Sequence, residues 1–210
     1  MQEKDFLKLI TEGLSLLSVD STKEQQHALW YYLQQLQHWN KTYNLSAIRD
    51  AEKIITHHFF DSLSVLPYLQ GESVLDVGSG AGFPGMVLAL FDASREYRLL
   101  DSNGKKTRFL LSLQSHWALP NVTIINHRLE KIDTNKRYSN IVSRAFSDIS
   151  TFVKTAGPLC DDSGCLLAMK GKITDEELEG IDLKAWQYTV IPLSVPYLTA
   201  QRHLVMIRPS

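Results

Sequence analysis

The sequence predicts an α/β protein with a Rossmann-like, mostly parallel sheet of seven strands, preceded by a helical extension. Three observations carry this. The apolar run Val74-Leu75-Asp76-Val77 leads into the closely spaced glycines Gly78, Gly80 and Gly82 and then into an apolar helical stretch. Glycines there permit turns, and a close approach of ligand to backbone, that a Cβ forbids. From Ser73 onward strand-like and helix-like segments alternate, as in a parallel sheet covered on both faces. Two last strand candidates, near 186–193 and 202–208, form a hairpin-like ending that suits a sheet with one antiparallel strand.

The elements follow in chain order. Phe6, Leu9, Ile10, Leu14 and Leu17 recur at helical spacing, as do Leu29, Leu33, Leu36 and Trp39, with Ser21 or Thr22 placed to cap the second helix ahead of Glu24 and Gln25. After a polar loop over 40–45, a third helix is expected from about Ala51 to Leu66, stopped by Pro67. Strands are expected near 73–77, 97–101, 122–126, 139–143 and 164–170, with helices near 84–92, 104–117 and 149–158 between them and an acidic helix at 174–180. No repeat, low-complexity segment or long linker interrupts the pattern.

The chain has 210 residues, 44% hydrophobic, enough for one ordinary core. Cys160 and Cys165 are its only cysteines, and their spacing matches neither a zinc site nor a redox motif, so two buried thiols in a reducing compartment are expected, and no metal. The N-terminus carries both charge signs, unlike a secretory signal, and no run reaches membrane-span length. A cytoplasmic protein, with no membrane contact and acting as a monomer, is the expectation.

The net charge of −1 argues against indiscriminate nucleic-acid binding, but charge is unevenly placed. From Arg95 to Arg144 ten Lys/Arg face four Asp/Glu, whereas from Asp161 to Asp182 seven acids face two lysines. One basic face for a folded RNA or DNA site explains this; chance clustering on a solvated surface explains the charge alone equally well.

The glycine turn favours one cofactor class. An acidic residue, Asp101, ends the second strand 23 positions after Gly78, where a carboxylate can accept ribose hydroxyls. A dinucleotide loop would put its third glycine at Phe83, which is bulky, and no Gly-Lys-Ser/Thr closes a phosphate loop. The D-x-G-x-G-x-G pattern from Asp76 to Gly82 instead resembles the first motif of S-adenosylmethionine-dependent methyltransferases. By that resemblance Asp76 faces the cationic methionine end of S-adenosyl-L-methionine, Asp101 the ribose, and Gly78, Gly80 and Phe83 belong to the cofactor loop. A dinucleotide oxidoreductase and a ligand-free glycine turn are the competing readings.

Around D-V-G-S-G-A-G-F-P-G stand four further stretches: Trp39-Asn40-Lys41 with Asn44-Leu45 and Ile48-Arg49-Asp50; His57-His58-Phe59 with Asp61-Ser62-Leu63; Leu99-Leu100-Asp101-Ser102-Asn103-Gly104-Lys105-Lys106; and Ser143-Arg144-Ala145. In this order they resemble the bacterial 16S ribosomal RNA guanine-N7 methyltransferase G family, also called glucose-inhibited division protein B. The likeness runs over about residues 30–208, including Ala168-Met169-Lys170-Gly171 and Arg202-His203-Leu204-Val205. Ser46 departs from it, since the family more often has threonine there. The first 25 residues carry little likeness.

The resemblance implies a class I S-adenosylmethionine-dependent methyltransferase unit over 69–210, a helical extension over 1–68 packed on it, and methyl transfer to a guanine N7 in 16S ribosomal RNA of the small subunit. Leu129 and Glu130 would enclose the adenine, and Arg144 would lie near the methionine end or the incoming base. Asn44, His58, Lys105, Lys106, Arg108, Lys170 and Arg202 would meet the RNA. The residues themselves leave other roles open. Asn44 also suits stabilising its own turn, one of His57 and His58 suits a satisfied core position, and Glu130 suits an ordinary surface carboxylate. Lys105, Lys106 and Arg108 open a helix whose dipole opposes them, which points to an anionic partner. Guanine N7 carries a lone pair and no proton, so no catalytic base is assigned; Arg144 is the best candidate for a catalytic residue. A methyltransferase of a small molecule or protein, or a non-catalytic RNA-binding assembly factor, are the alternatives.

Overall fold

The computed structural model describes residues 1–133, 135–146 and 148–210. Helix α1 (Glu3–Leu16) and helix α2 (Lys23–Tyr43) open the chain. Thr22 and Gln25 form the expected capping box, satisfying two end donors of α2 reciprocally. The expected single helix over 51–66 is instead α3 (Ala51–Ile54), a π-helical stretch (Ile55–Phe60) and α4 (Asp61–Leu63), with Pro67 inside a 3-10 turn (Leu66–Tyr68). The widened turn lets Ile54, Ile55, Phe59 and Phe60 all be buried while Asp61 meets Arg144. Local pattern cannot show this, because distant packing stabilises it.

Seven strands make one sheet: β1 (Ser73–Val77), β2 (Glu96–Leu100), β3 (Val122–Ile125), β4 (Tyr138–Ser143), β5 (Cys160–Lys170), β6 (Trp186–Pro192) and β7 (His203–Pro209). Their order is β3-β2-β1-β4-β5-β7-β6, and β7 is antiparallel to both neighbours. The helices α5 (Gly85–Phe91), α6 (Gly104–Trp117), α7 (Ile149–Ala156) and α8 (Asp175–Glu179) complete it. Strand β5 starts earlier than expected because it passes an irregularity between its pairings to Tyr138 and Asn140.

Alternation along β1 sends side chains to two different cores. Val74 packs with Met86, Leu99, Phe109 and the N-terminal helices, whereas Leu75 and Val77 pack with Ile141, Phe152 and Leu166. The N-terminal helices share the first core: Phe6, Leu29, Tyr32 and Phe59 are fully buried in it. Each such side chain is worth roughly 1.5–3 kcal/mol of burial. Chain order reverses between β1 and β4, so the crevice at their carboxyl ends is where an open α/β sheet binds ligands.

Candidate active site

The glycine turn between β1 and α5 is tied to its surroundings by backbone donors. Gly78 and Ser79 donate to the Leu100 carbonyl at 2.8 and 3.0 Å, and Gly80 donates to Asp101 Oδ2 at 2.9 Å. Gly78 has φ +74°, and a Cβ there would lie 2.6 Å from the Ala145 Cβ. Gly82 has φ +98°, and a Cβ there would strike the Tyr32 hydroxyl at 2.2 Å. Tyr32 reaches in from α2 to donate to the Ala81 carbonyl, and its ring stacks on Phe83 at 5.3 Å. The helical extension thus supports the turn from beneath.

A first cavity, about 340 Å³, opens over this turn. Val77, Leu100, Leu129 and Phe146 give it apolar walls, and Asp101 and Glu130 bring carboxylates to it. Asp101 also accepts from Asn103 N at 2.8 Å and has Lys106 Nζ at 3.9 Å. Apolar walls for a flat base, a carboxylate at the end of the second strand and a floor without Cβ atoms together fit a nucleoside cofactor. Gly78, Asp101, Leu129 and Glu130, candidates from the sequence, all border this cavity. Ser102 and Ala145, which stand in the family stretches, and His127, Arg128 and Phe146, which stand in none, also line this cavity. The sequence signal of the last three is position, just past the ends of β3 and β4.

Asp76 is corrected by the structure. It is fully buried and does not line the cavity; its Oδ2 accepts from Gly85 N at 2.9 Å, and Oδ1 has no partner. Strand alternation turns it toward α5, away from Val77 and the cavity. Burial, partly offset by the Gly85 hydrogen bond, pushes its carboxyl up to about 7. Phe83 is likewise buried rather than exposed to a ligand, stacked between Tyr32 and His58.

Arg144 lines a second cavity, about 300 Å³, with His57, His58, Asp61, Lys170 and Arg202. Ala145 and Phe146, the next residues, line the first, so the segment 144–146 borders both. Buried Asp61 is the hub: Oδ2 accepts from Arg144 Nη1 and Oδ1 from Arg202 Nε, each at 3.0 Å. Arg144 also lies 5.4 Å from the Phe83 ring centre. Lys170 pairs with Glu177 at 2.5 Å. Two guanidinium forks around one carboxylate make an acceptor-seeking wall. Asp61 had been quoted only as part of a family stretch; it is the residue that links Arg144 to Arg202.

The remaining RNA-facing candidates divide. His58 borders the second cavity, but both ring nitrogens are engaged inside the protein, with Ser46 Oγ at 2.9 Å and Arg144 Nη2 at 3.3 Å. Burial, then the Arg144 charge, brings its pKa down to about 3. Asn44 is the left-handed C-cap of α2, and its Oδ1 accepts from Arg49 Nη2 at 2.8 Å, so it stabilises its own loop. Lys105 and Arg108 are exposed at the start of α6, whereas Lys106 is half-buried beside Asp101. Among the described residues no cluster of His, Cys, Asp and Glu could hold a metal ion, and no helix is long and apolar enough to cross a membrane.

The model of the family described as rRNA small subunit methyltransferase G matches residues 25–205. The chain belongs to this family. It is 43% identical over 201 residues to the ribosomal RNA small subunit methyltransferase G of Nitrosococcus oceani, covering 96% of this chain and 94% of that protein. It is 40% identical over 198 residues to the protein of the same name from a Marinomonas species, covering 94% and 95%. Among solved structures it is similar in fold to a SAM-dependent methyltransferase from Aquifex aeolicus, with TM-score 0.56 and 16% identity over 74% of this chain and 92% of that one. It is also similar to M. jannaschii TYW2 in complex with AdoMet, with TM-score 0.54 and 13% identity over 71% and 75%.

Membership of the methyltransferase G family makes this chain an S-adenosyl-L-methionine-dependent methyltransferase. The dinucleotide reading is thereby set aside. The family match begins at residue 25, so α1 lies outside it although Phe6, Ile10 and Leu14 belong to the main core.

Proposed function

We propose that this chain transfers a methyl group from S-adenosyl-L-methionine to N7 of a guanine in 16S ribosomal RNA of the small subunit, with the cofactor in the first cavity and the base in the second. The observation that carries this is the shared border at 144–146: a nucleoside-shaped cavity and a guanidinium-walled one meet at the carboxyl ends of β1 and β4. Residues 1–68 serve as a platform for the unit over 69–210.

When bound, the cofactor supplies an electrophilic methyl on a sulfonium. What the chain contributes is orientation. Gly78 and Gly80 admit the cofactor to the backbone, Asp101 accepts from its ribose, and Leu129 and Glu130 flank its adenine. Guanine presents N7 and O6 as acceptors on one edge. An Arg144 or Arg202 N–H directed at O6 or at a phosphate would fix that edge while leaving N7 free. N7 bears no proton, so no base is needed; beside Arg144, His58 has its lone pair on the guanidinium and Asp61 is shared by two guanidiniums. Rate then comes from near-attack placement, with Asp61 offsetting positive charge as it moves onto the purine.

An A-form helix hides the N7 edge, so the target is an unpaired or extruded guanine. Lys105 and Arg108 contribute phosphate contacts that position the RNA, and Lys170 and Arg202 lie nearer the base. The test is incubation with radiolabelled cofactor and small subunits lacking the modification, followed by mapping of the labelled nucleotide. Label at N7 of one guanine is expected. Label on protein, on a small molecule or on another atom of the RNA would refute the assignment, and cofactor binding without any transfer would favour an assembly factor.

A further inference from the structure

Ser46 lies in the loop between α2 and α3, away from the cofactor turn, and is held from both sides by buried Asn40. Asn40 Nδ2 donates to the Ser46 carbonyl at 2.8 Å, and Ser46 N donates to Asn40 Oδ1 at 3.0 Å. Its hydroxyl accepts from Ile48 N at 3.1 Å and lies 2.9 Å from His58 Nε2. His58 is clamped flat on Phe83, ring centres 4.3 Å apart and planes 12° from parallel. Its Nδ1 is 3.3 Å from Arg144 Nη2.

The proton positions follow from donor chemistry. A guanidinium can only donate, so a hydrogen bond from Arg144 requires a bare His58 Nδ1; we assign this tautomer because the competing acceptor, the His57 carbonyl, is already served by Arg144 Nη1. Neutral imidazole then carries its proton on Nε2, which donates to Ser46 Oγ. The nearby His57 carbonyl, 3.1 Å from Nδ1, cannot be served by a bare nitrogen; it accepts from Arg144 Nη1 at 3.0 Å instead. Arg144 is thus gripped at three points: His58 Nδ1, the His57 carbonyl in the π-helical turn, and Asp61.

We propose that Ser46 and His58 are positioning residues for Arg144, a hydrogen-bond relay by which the loop after α2 sets the direction of the guanidinium in the base-receiving cavity. The consequence for the reaction rests on the assignment of that cavity to the guanine. The serine hydroxyl is what the relay needs; the methyl of a threonine is not.

Two sets of measurements test this. Imidazole nitrogen resonances, assigned with His58→Gln, should show a bare Nδ1 and a protonated Nε2 for His58. The Arg144 side-chain resonances, assigned with Arg144→Lys, should shift in Ser46→Ala and return toward wild type in Ser46→Thr. In single-turnover methyl transfer to small subunits, Ser46→Ala and His58→Gln should each lose about tenfold in rate. Cofactor affinity should stay at the wild-type value, Ser46→Thr should regain most of the rate, and the double variant should be no slower than the slower single one. A protonated Nδ1, Arg144 resonances indifferent to Ser46→Ala, or losses that multiply in the double variant would overturn the relay. Failure of the wild type to methylate guanine N7 would overturn the proposed function instead, and the resonance measurements would still decide the relay.

Discussion

The two cavities differ in how they are built. The first is lined by consecutive chain turns at one end of the parallel strands: the glycine turn after β1, residues 100–102 at the end of β2, and the turns after β3 and β4. The second has no contiguous core: Asp61 comes from α4, Arg144 from the end of β4, Lys170 from the end of β5 and Arg202 from just before β7. A site floored by a glycine turn depends on backbone shape and tolerates no Cβ added at Gly78. A site made by convergent side chains depends on charge balance around its hub, Asp61. Substitutions should therefore fail differently in the two.

The largest effect is expected at the turn. Gly78→Val places a Cβ against Ala145 at a backbone conformation that L residues resist, so S-adenosylmethionine binding should weaken by at least about 100-fold with the far-ultraviolet spectrum unchanged. Calorimetry with the cofactor and its demethylated product measures this, and neither variant nor wild type should bind NAD. Wild-type affinity in the variant would show that the cradle is not backbone-limited.

Next comes the hub of the second cavity. Asp61→Asn leaves Arg144 and Arg202 without their shared counter-charge, and because both guanidiniums are partly solvated the stability cost should be about 2 kcal/mol. Methyl transfer should fall by about 100-fold while cofactor affinity is kept. Denaturant unfolding, single-turnover kinetics and calorimetry on one preparation separate the three quantities. A parallel loss of cofactor affinity would mean that the two cavities are not separable.

Arg144 tests whether the second cavity works by geometry. Arg144→Ala should slow transfer without introducing or removing an ionisation between about pH 6 and 9, and Arg144→Lys should restore little, since a point charge cannot hold three partners as a fork does. A steep ionisation in the wild-type rate that Arg144→Ala removes would contradict a base-free reaction.

A smaller effect separates the neighbouring cations of α6. Reversing the charge of Lys105 and Arg108, both exposed, should weaken RNA binding and flatten its salt dependence, leaving cofactor affinity alone. Reversing Lys106, which sits beside Asp101, should instead weaken cofactor binding. Filter binding across a salt series, set beside calorimetry, checks both.

The smallest effect is a stability slope. Asp76 holds its proton more tightly folded than unfolded, so it favours the folded state increasingly as pH falls from about 7 toward 4, and its full cost is imposed above 7. Asp148, held down to about 2 by Thr151 and Ser150, works in the opposite sense as pH falls below about 4. Asp76→Asn should flatten the slope of unfolding free energy between pH 4 and 7. An unchanged slope would show that another group carries it.

What the sequence by itself determined is whatever short-range chemistry governs. Strand alternation, the Thr22–Gln25 cap, the glycine turn and the carboxylate at the end of β2 are all settled within a few residues of chain. The side of the strand on which Asp76 falls was also present in that alternation, but a motif read as a unit obscures it. Only the tertiary structure decided the π-helical turn at 55–60, the place of Phe83 beneath the site rather than in it, and the meeting of Asp61 with Arg144 and Arg202. Each of these depends on partners more than twenty residues away, whose approach directions are set by how two cores pack against one sheet, and no local propensity encodes that.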